Sequence, residues 1–392
     1  VGAVQILGRS LAQTQSEAIA AAGLVQVESP PQDAPYLVLS DRTWVTGATL
    51  RALVSQADAP ARLQVTDATW LATTSGLQEL PAPGVYELGL VPAGDPPDFD
   101  ALPPVPIDLH VEARPAPEEH PALAHAMPDS IPFTDAGIHQ VDHWLHILRT
   151  NWMAMSCTIA REVRGFSRKP WWSKAWRLLG LLLKVRSLRP DRWARGLSHF
   201  GKGCRIHPTA VIEASVLGDN VEVGPFSVVR GSLLGDGVRI EEHATINASV
   251  LGTGARVGRR GTANLCVLYD GAFVGAGNGF QASIFGEGSF LAWSVTIFDI
   301  SFGKPIRVWH RGEKVSSETF FLGAAIGHRA RIGGMVQIGY GAEVPNEALV
   351  VADSGVVLRN WQEGEGPHRV IDGCAAPVGR DKVVRTGGEG AE

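Results

Sequence analysis

Ser215-Val-Leu-Gly, Ser232-Leu-Leu-Gly, Ser249-Val-Leu-Gly, Cys266-Val-Leu-Tyr and Ser283-Ile-Phe-Gly follow one another at intervals of 17 residues. Self-similarity at a fixed period marks a repeat architecture. Around these segments the apolar positions step 6, 6, 5 through Ile206, Ile212, Leu217, Val223, Val229, Leu234, Ile240, Ile246, Leu251, Val257, Ala263, Leu268, Val274, Phe280, Phe285, Leu291 and Ile297. Beyond an interruption the step becomes a strict 6, through Phe320, Ile326, Ile332, Ile338, Val344, Val350 and Val356. A helix brings an apolar residue to one face every three or four positions and a strand every two, so this period fits neither. It predicts a triangular coil with three short sides, each sending one aliphatic side chain inward.

Gly218, Gly235, Gly252, Gly327, Gly333 and Gly339 directly follow inward residues. That placement predicts corners with backbone angles that glycine tolerates best. The Ser or Cys two places before Leu217, Leu234, Leu251, Leu268 and Phe285 is expected to be a second, small inward residue. Serine there must bond backbone within the stack, because an unpaired buried hydroxyl costs about 1–3 kcal/mol. Cys266 fills the same slot and is read as structural.

This pattern resembles the hexapeptide-repeat transferase superfamily, and the 17-residue coils are similar to the C-terminal β-helix of sugar-nucleotide pyrophosphorylases and their bifunctional acetyltransferase relatives. The resemblance implies a left-handed parallel β-helix over residues 201–361. It also implies a homotrimer with sites between subunits. The same rod serves elsewhere as a gamma-class carbonic anhydrase and as plain scaffold, so fold alone does not assign chemistry.

Ahead of the rod, residues 10–22 read as a helix closed by Gly23, followed by a strand at 24–28, the apolar run 36–39 and a helix over 46–55. This alternation predicts a parallel sheet with helices on its faces. Gly8-Arg-Ser-Leu-Ala-Gln and Leu37-Val-Leu-Ser-Asp-Arg resemble pieces of a nucleotidyltransferase domain, in which Asp41 matches the metal-binding aspartate. The residues before Gly8 supply no Gly-rich, cation-bearing phosphate loop. The expectation is a truncated, degenerate α/β nucleotidyltransferase-like domain over 1–133. A helical, Trp-rich basic connector is expected over 134–200, and a tail, disordered after about Arg380, over 362–392.

Within the connector Thr134-Asp135 is a plausible N-cap for a helix reaching about Val163. Val141, Trp144, Leu145, Leu148, Trp152 and Met155 form one stripe, with His139, His143 and His146 nearly opposite. Three histidines at that spacing, near Asp142, are candidates for a divalent metal. A second docked surface or a solvated face is the competing reading, and no tightly bound metal is expected. The band 161–205 carries 13 Lys/Arg against 2 Asp/Glu, whereas 1–160 carry 6 against 18. Trp171, Trp172, Trp176 and Trp193 punctuate it. It reads either as a cap over the open first coil or as a contact for an anionic membrane surface. No nucleic-acid motif accompanies it, so no nucleic-acid partner is expected.

Hexapeptide acyltransferases resemble one another in using a histidine as general base against an acyl thioester. His328, in Gly327-His-Arg-Ala-Arg-Ile-Gly, has the H-x-x-x-I-G spacing that resembles the catalytic segment of sugar N-acyltransferases. His310 is the second candidate. It lies in the excursion 298–319, whose Lys304, Arg307, Arg311 and Lys314 could meet the phosphates of coenzyme A or a carrier protein's pantetheine arm. Gly333 and Gly339 amides are expected to line the same groove, and by resemblance the loop reaches a neighbouring subunit. His207, His243 and His328 lie at different phases of the coil, which disfavours a carbonic anhydrase metal site.

The leading expectation is an acyltransferase using acetyl-CoA or an acyl carrier protein, acting on a sugar or sugar nucleotide. The alternative is a non-catalytic scaffold with a pseudo-nucleotidyltransferase domain, with association at a membrane as one form of it. Four scattered cysteines without a C-x-x-C pair argue for a reducing, cytoplasmic setting. No apolar run approaches the ~20 residues of a membrane span, and no signal peptide is expected. Peripheral contact at the inner membrane face is the second expectation for location.

Overall fold

The computed structural model describes residues 4–116, 129–167, 169–172, 196–352, 360–363, 368–371 and 374–377. From His199 onward the chain winds a parallel solenoid of about 9 turns, of the left-handed β-helix type. Its first face stacks eight strands from His199–Phe200 to Glu343–Val344. The second stacks eight from Arg205–Ile206 to Leu349–Val350. The third stacks five, from Val211–Glu213 to Gly279–Gln281, and Thr296–Ile297 pairs with Gln337–Ile338 below them. Leu217, Val223, Val229 and their counterparts in each coil fill one continuous core. Phe320 departs from the expected register, being half-buried outside that core, and the strict hexads start at Ile326. Val356 lies outside the described residues.

The serines form the expected ladder. The hydroxyls of Ser215, Ser232 and Ser249 each accept the backbone N–H one coil on, at 3.2, 3.1 and 2.9 Å. Each also donates to the carbonyl two residues back. Cys266 is fully buried in the same slot, and burial pushes its thiol up to about 12. Four of the six corner glycines, Gly218, Gly235, Gly252 and Gly327, have a different cause from the one expected. A Cβ at Gly218 or Gly252 would lie 2.3 Å from Asp236 Oδ1 or Asp270 Oδ1 of the next coil, and at Gly286 only 2.5 Å from the His328 amide nitrogen. Close stacking, rather than backbone angle, keeps these positions free of a side chain.

The N-terminal region is mixed α/β. Helix α1 (Leu11–Ala21) starts in a capping box between Ser10 and Gln13, and α2 (Gly47–Gln56) is capped by Thr46. Helix α3 (Ala68–Thr74) follows Asp67. The sheet has Tyr36–Leu39 and Ala61–Gln64 antiparallel on either side of Val85–Val91, with only Pro104–Pro106 added in parallel. The expected parallel sheet is therefore not formed. Residues 24–28 form no strand, and Val25 is exposed there because no neighbouring strand covers it.

Helix α4 (Trp144–Ser167) joins this region to the rod. It starts later than the capping signal at Thr134 suggested, because Ser130–Phe133 and Ile138–Gln140 are strands paired to Glu112–Pro115 and Thr43–Val45. One side of α4, with Leu145, Leu148, Trp144 and Trp152, packs on Val267, Ile284 and the excursion's Ile306 and Val308. Met153, Ala154 and Cys157 on its other side join the N-terminal core. Among the described residues no helix is long and apolar enough to cross a membrane. Trp171 and Trp172 are exposed, and Trp176 and Trp193, with the rest of 173–195, lie outside the described residues.

Candidate functional site

The rod's 17-residue register jumps to 41 between Glu287 and His328, where the chain leaves as the excursion and returns. Residues Arg307–His310 and Glu313–Ser316 of the excursion form an antiparallel hairpin that folds back on this chain's own N-terminal region. His310 Nε2 donates to Glu79 Oε1 at 2.8 Å, and Arg311 pairs with the other oxygen of Glu79. The Trp309 carbonyl lies 2.9 Å from His143 Nε2, and Arg149 donates to the carbonyls of Gly76 and Ser317, each at 3.0 Å. Within the chain the hairpin therefore acts as a latch between the rod and the N-terminal region.

That fold-back walls one side of an open cavity of about 700 Å³ over the first face of the rod. Its walls are Trp144 and Ile147 of α4, Trp309 of the hairpin, and Tyr269, Ile284, His328, Glu343 and Asn346 of the coils. Trp144 Nε1 donates to Glu343 Oε1 at 2.9 Å. On the far side of Tyr269 and His328 is a second, polar cavity of about 470 Å³, bordered by Gln5, Gly8, Ser10, Gln13, Asp270 and Glu287. The two rings meet edge to face, with centroids 5.6 Å apart, and form a partition.

His328 is half-buried, and its backbone N–H is held by Asn346 Oδ1 at 2.8 Å. Its Nδ1 accepts the Glu287 backbone N–H at 3.0 Å. The neutral ring therefore carries its proton on Nε2. A general base needs a free lone pair at the substrate, and the lone pair here is engaged by the rod itself. In this rotamer Nδ1 is engaged by the rod and Nε2 carries the proton. His310 shows the opposite arrangement, with Nε2–H on Glu79 leaving the Nδ1 lone pair. Side chains alternate along a strand, so with Trp309 on the cavity wall His310 faces the N-terminal region. It acts in the latch and does not border either cavity.

Tyr269 was not singled out by its chemistry, yet it breaks the column Gly218, Gly235, Gly252, Gly286 that otherwise closes this side of each coil. Its hydroxyl accepts the Gln5 N–H at 3.0 Å, and burial raises its pKa to about 12, keeping the phenol protonated. The cations expected at an acyl donor divide in their surroundings. Arg311 is paired with Glu79, and Arg307 donates to the Lys314 carbonyl. Lys304 is exposed, and Lys314 stands over the Trp309 ring at 5.5 Å. Gly333 and Gly339 border neither cavity; Gly286 and Gly327 border the larger one, and the amides of Gly286, Gly327 and Gly333 are all spent on carbonyls of the next coil, at 2.7, 2.9 and 2.7 Å.

The histidines of the connector form a buried cluster. His139 and His146 are fully buried with ring centroids 5.3 Å apart, and His143 meets His146 and His310 edge to face. His139 bonds Thr150 Oγ1 and the Thr74 carbonyl, while His146 accepts the Asp142 N–H and bonds the Gly76 carbonyl. All four of those ring nitrogens have protein partners, which corrects the reading of a metal triad. Among the described residues no group of three His, Cys, Asp or Glu could hold a metal ion. Burial holds His146 down at about 3 and His139 well below its ordinary value.

Residues 197–278 match the family described as GlmU-like, C-terminal hexapeptide. The rod belongs to the hexapeptide-repeat superfamily. Among solved structures, a Bacillus cereus protein assigned as an acetyltransferase is 17% identical, over 39% of this chain and 76% of that one, with a TM-score of 0.19. A mutant of perosamine N-acetyltransferase from Caulobacter crescentus, in complex with CoA and GDP-perosamine, is 14% identical over 41% and 57% of the two chains, with a TM-score of 0.13. The polySia specific acetyltransferase NeuO is 14% identical over 40% and 82%, with a TM-score of 0.14. No curated protein sequence matches the chain.

Proposed function

We propose that this protein transfers an acyl group from a thioester, carried by coenzyme A or an acyl carrier protein, to a sugar-like acceptor at the partition formed by Tyr269 and His328. The observation that carries this reading is the pair of unlike cavities meeting at one histidine. The larger, with its Trp144, Trp309, Ile147 and Ile284 walls, suits the slender, largely apolar pantetheine arm. Lys314, beside the exposed edge of Trp309, is placed for a phosphate of the donor. In the reaction an acceptor nitrogen or oxygen attacks the thioester carbon, the C–S bond breaks, and the acceptor's proton ends on the thiol. His328 Nε2–H donates to the carbonyl oxygen as negative charge builds there.

A donor of this kind contributes about 10²–10³ in kcat. Thiol release from acetyl-CoA, followed with a panel of sugars, tests the assignment. His328→Ala is expected to lower kcat/KM about 100-fold, and His328→Gln, whose amide keeps a donor, to stay within about tenfold of wild type. Equal losses in the two variants would return the histidine to the role of base. Equal rates for wild type and His328→Ala would leave the non-catalytic scaffold as the better reading.

A further inference from the structure

The far end of α4 carries an uncovered apolar surface. Trp152 faces the rod, its Nε1 donating to the Leu265 carbonyl at 3.1 Å. Ile159 and Val163 continue its side of the helix, two and three turns on, and both are exposed. Beyond them Trp171 and Trp172 are 79 and 57% exposed. The course of α4 decides what stands beside this stripe. Trp144 bonds Glu343 in a late coil and Trp152 bonds Leu265 in an earlier one, so the helix runs from the last coils toward the first. From Trp152 to Ser167 it rises about 22 Å, and the strand spacings from Val267–Leu268 up to His199–Phe200 make about 19 Å. Its last turn is therefore level with the first coil, where Leu197 and Phe200 are also exposed. Single exposed hydrophobics are ordinary, but a group of them at one end of a molecule marks an interaction surface.

The charge at this end is one-sided. Residues 161–205, which leave from this surface and return to it, carry 13 Lys/Arg against 2 Asp/Glu in a chain whose net charge is -5. Arg164 and Arg205 are taken by Asp135 and Glu222, whereas Arg161, Lys169 and Lys202 enter no ion pair among the described residues. A nucleic acid would satisfy these cations and leave Ile159, Val163 and Leu197 in water. An anionic bilayer satisfies both, because its headgroup layer takes tryptophan rings and aliphatic side chains beneath a sheet of phosphates. We infer that this end of the molecule docks on an anionic lipid surface, with Trp171 and Trp172 in the headgroup layer and Arg161, Lys169 and Lys202 against lipid phosphates. The inference goes beyond the acyl-transfer reading and does not depend on it. The larger cavity, walled by Trp309, His328 and Glu343, belongs to the last coils and stays clear of the lipid.

Cosedimentation of the full chain with phosphatidylcholine vesicles, with and without about one-third phosphatidylglycerol, tests it. Partition onto the anionic vesicles is expected to exceed that onto phosphatidylcholine alone by about tenfold or more. It should be largely lost in about 0.5 M NaCl, where exposed charges are screened within a few ångströms. Trp171→Ser together with Trp172→Ser is expected to weaken it by about tenfold, and Lys169→Gln and Lys202→Gln by about fivefold each. None of these four positions is buried, so the urea midpoint should stay at the wild-type value. Equal binding to both vesicles, binding to neither, or binding untouched by the tryptophan pair would overturn the inference, the last because the rings would then be covered by the chain itself. Self-association abolished by the same pair, without vesicle binding, would give the surface to a second copy. A DNA duplex held more tightly than the vesicles would give the cations to nucleic acid, and either result overturns the inference as well.

Discussion

Two faces of the rod are built from the same repeat and meet different fates. On the first face the outward residues Val267 and Ile284 are 2 and 6% exposed, because α4 and the excursion lie on them. On the second face the outward Phe290 and Leu349 are 44 and 73% exposed. The outward residues differ to match: the first face presents Val216, Leu233, Val250, Val267 and Ile284 in succession, whereas the second presents Arg205, Glu222, Arg239, Arg256 and Arg331 beside Phe273, Phe290 and Leu349. The apolar face of the coil is the one on which α4 and the excursion dock, and that docking walls the larger cavity.

The largest effect expected from breaking that difference lies at Leu148, fully buried between α4 and the rod. Leu148→Ala should cost about 2–5 kcal/mol, as truncation of a buried leucine does. Urea unfolding together with limited proteolysis of α4 would measure it. A loss confined to the N-terminal region, with the rod's own transition unchanged, would sharpen the comparison; no loss at all would break it.

The inward ladder was legible because one coil repeats its packing demands every 17 residues, so Ile212, Val229 and Ile246 announce one another. The serine column was legible for the same reason. The N-terminal sheet was not, since strands such as Ala61–Gln64 are short and their partners are set by tertiary contact. His328 was visible from its spacing, but its role depends on the Glu287 N–H that falls against Nδ1 across a 41-residue gap. Tyr269 left a trace, the single missing glycine in the column, which becomes meaningful only once coil stacking explains why glycine stands there. The excursion's direction could not be read either. Its partner, Glu79, lies 231 residues away from His310.

Acidification should loosen the covered face next. His146 titrates at about 3 in the folded chain against 6.5 when exposed, so the unfolded state binds its proton first. Stability is full above about pH 6.5 and falls as pH drops toward 3, with a slope approaching about 1.4 kcal/mol per pH unit for this residue alone. His139 and His143, also lowered by burial, act in the same direction. His310 and the Arg149 guanidinium face the same cluster, adding like charge. Asp142, raised by burial, opposes the trend at the acid end, because the folded state then takes its proton more readily. Denaturation midpoints at pH 7.5, 6.5 and 5.5 should fall across the last step. A slope unchanged in His146→Asn would assign the loss to other groups.

A smaller effect is expected at the latch. Glu79→Gln removes the charge that holds His310 and Arg311, a partly exposed network worth about 1 kcal/mol. Hydrogen exchange should quicken in residues 307–316 while residues 206–257 keep their protection. Because Trp309 walls the larger cavity, the same variant should raise KM for the thioester more than it lowers kcat. Unchanged exchange in the hairpin would mean that Ile306 and Val308, buried against α4, hold it unaided.

The smallest effect belongs to the bare face, and it tests whether that face is bare in solution. Leu349→Ser exchanges an exposed leucine for a small polar residue, and within an isolated chain this changes stability by no more than about 0.5 kcal/mol. Phe290 stacks on Phe273, and Leu349 is 73% exposed among the described residues, so a loss near that of Leu148→Ala would call for a covering surface from another molecule or from another part of this chain. Repeating the measurement over a hundredfold range of protein concentration separates the cases. A stability that rises with concentration in wild type, and not in Leu349→Ser, would show the second face to be as fully used as the first, with a partner chain in place of α4.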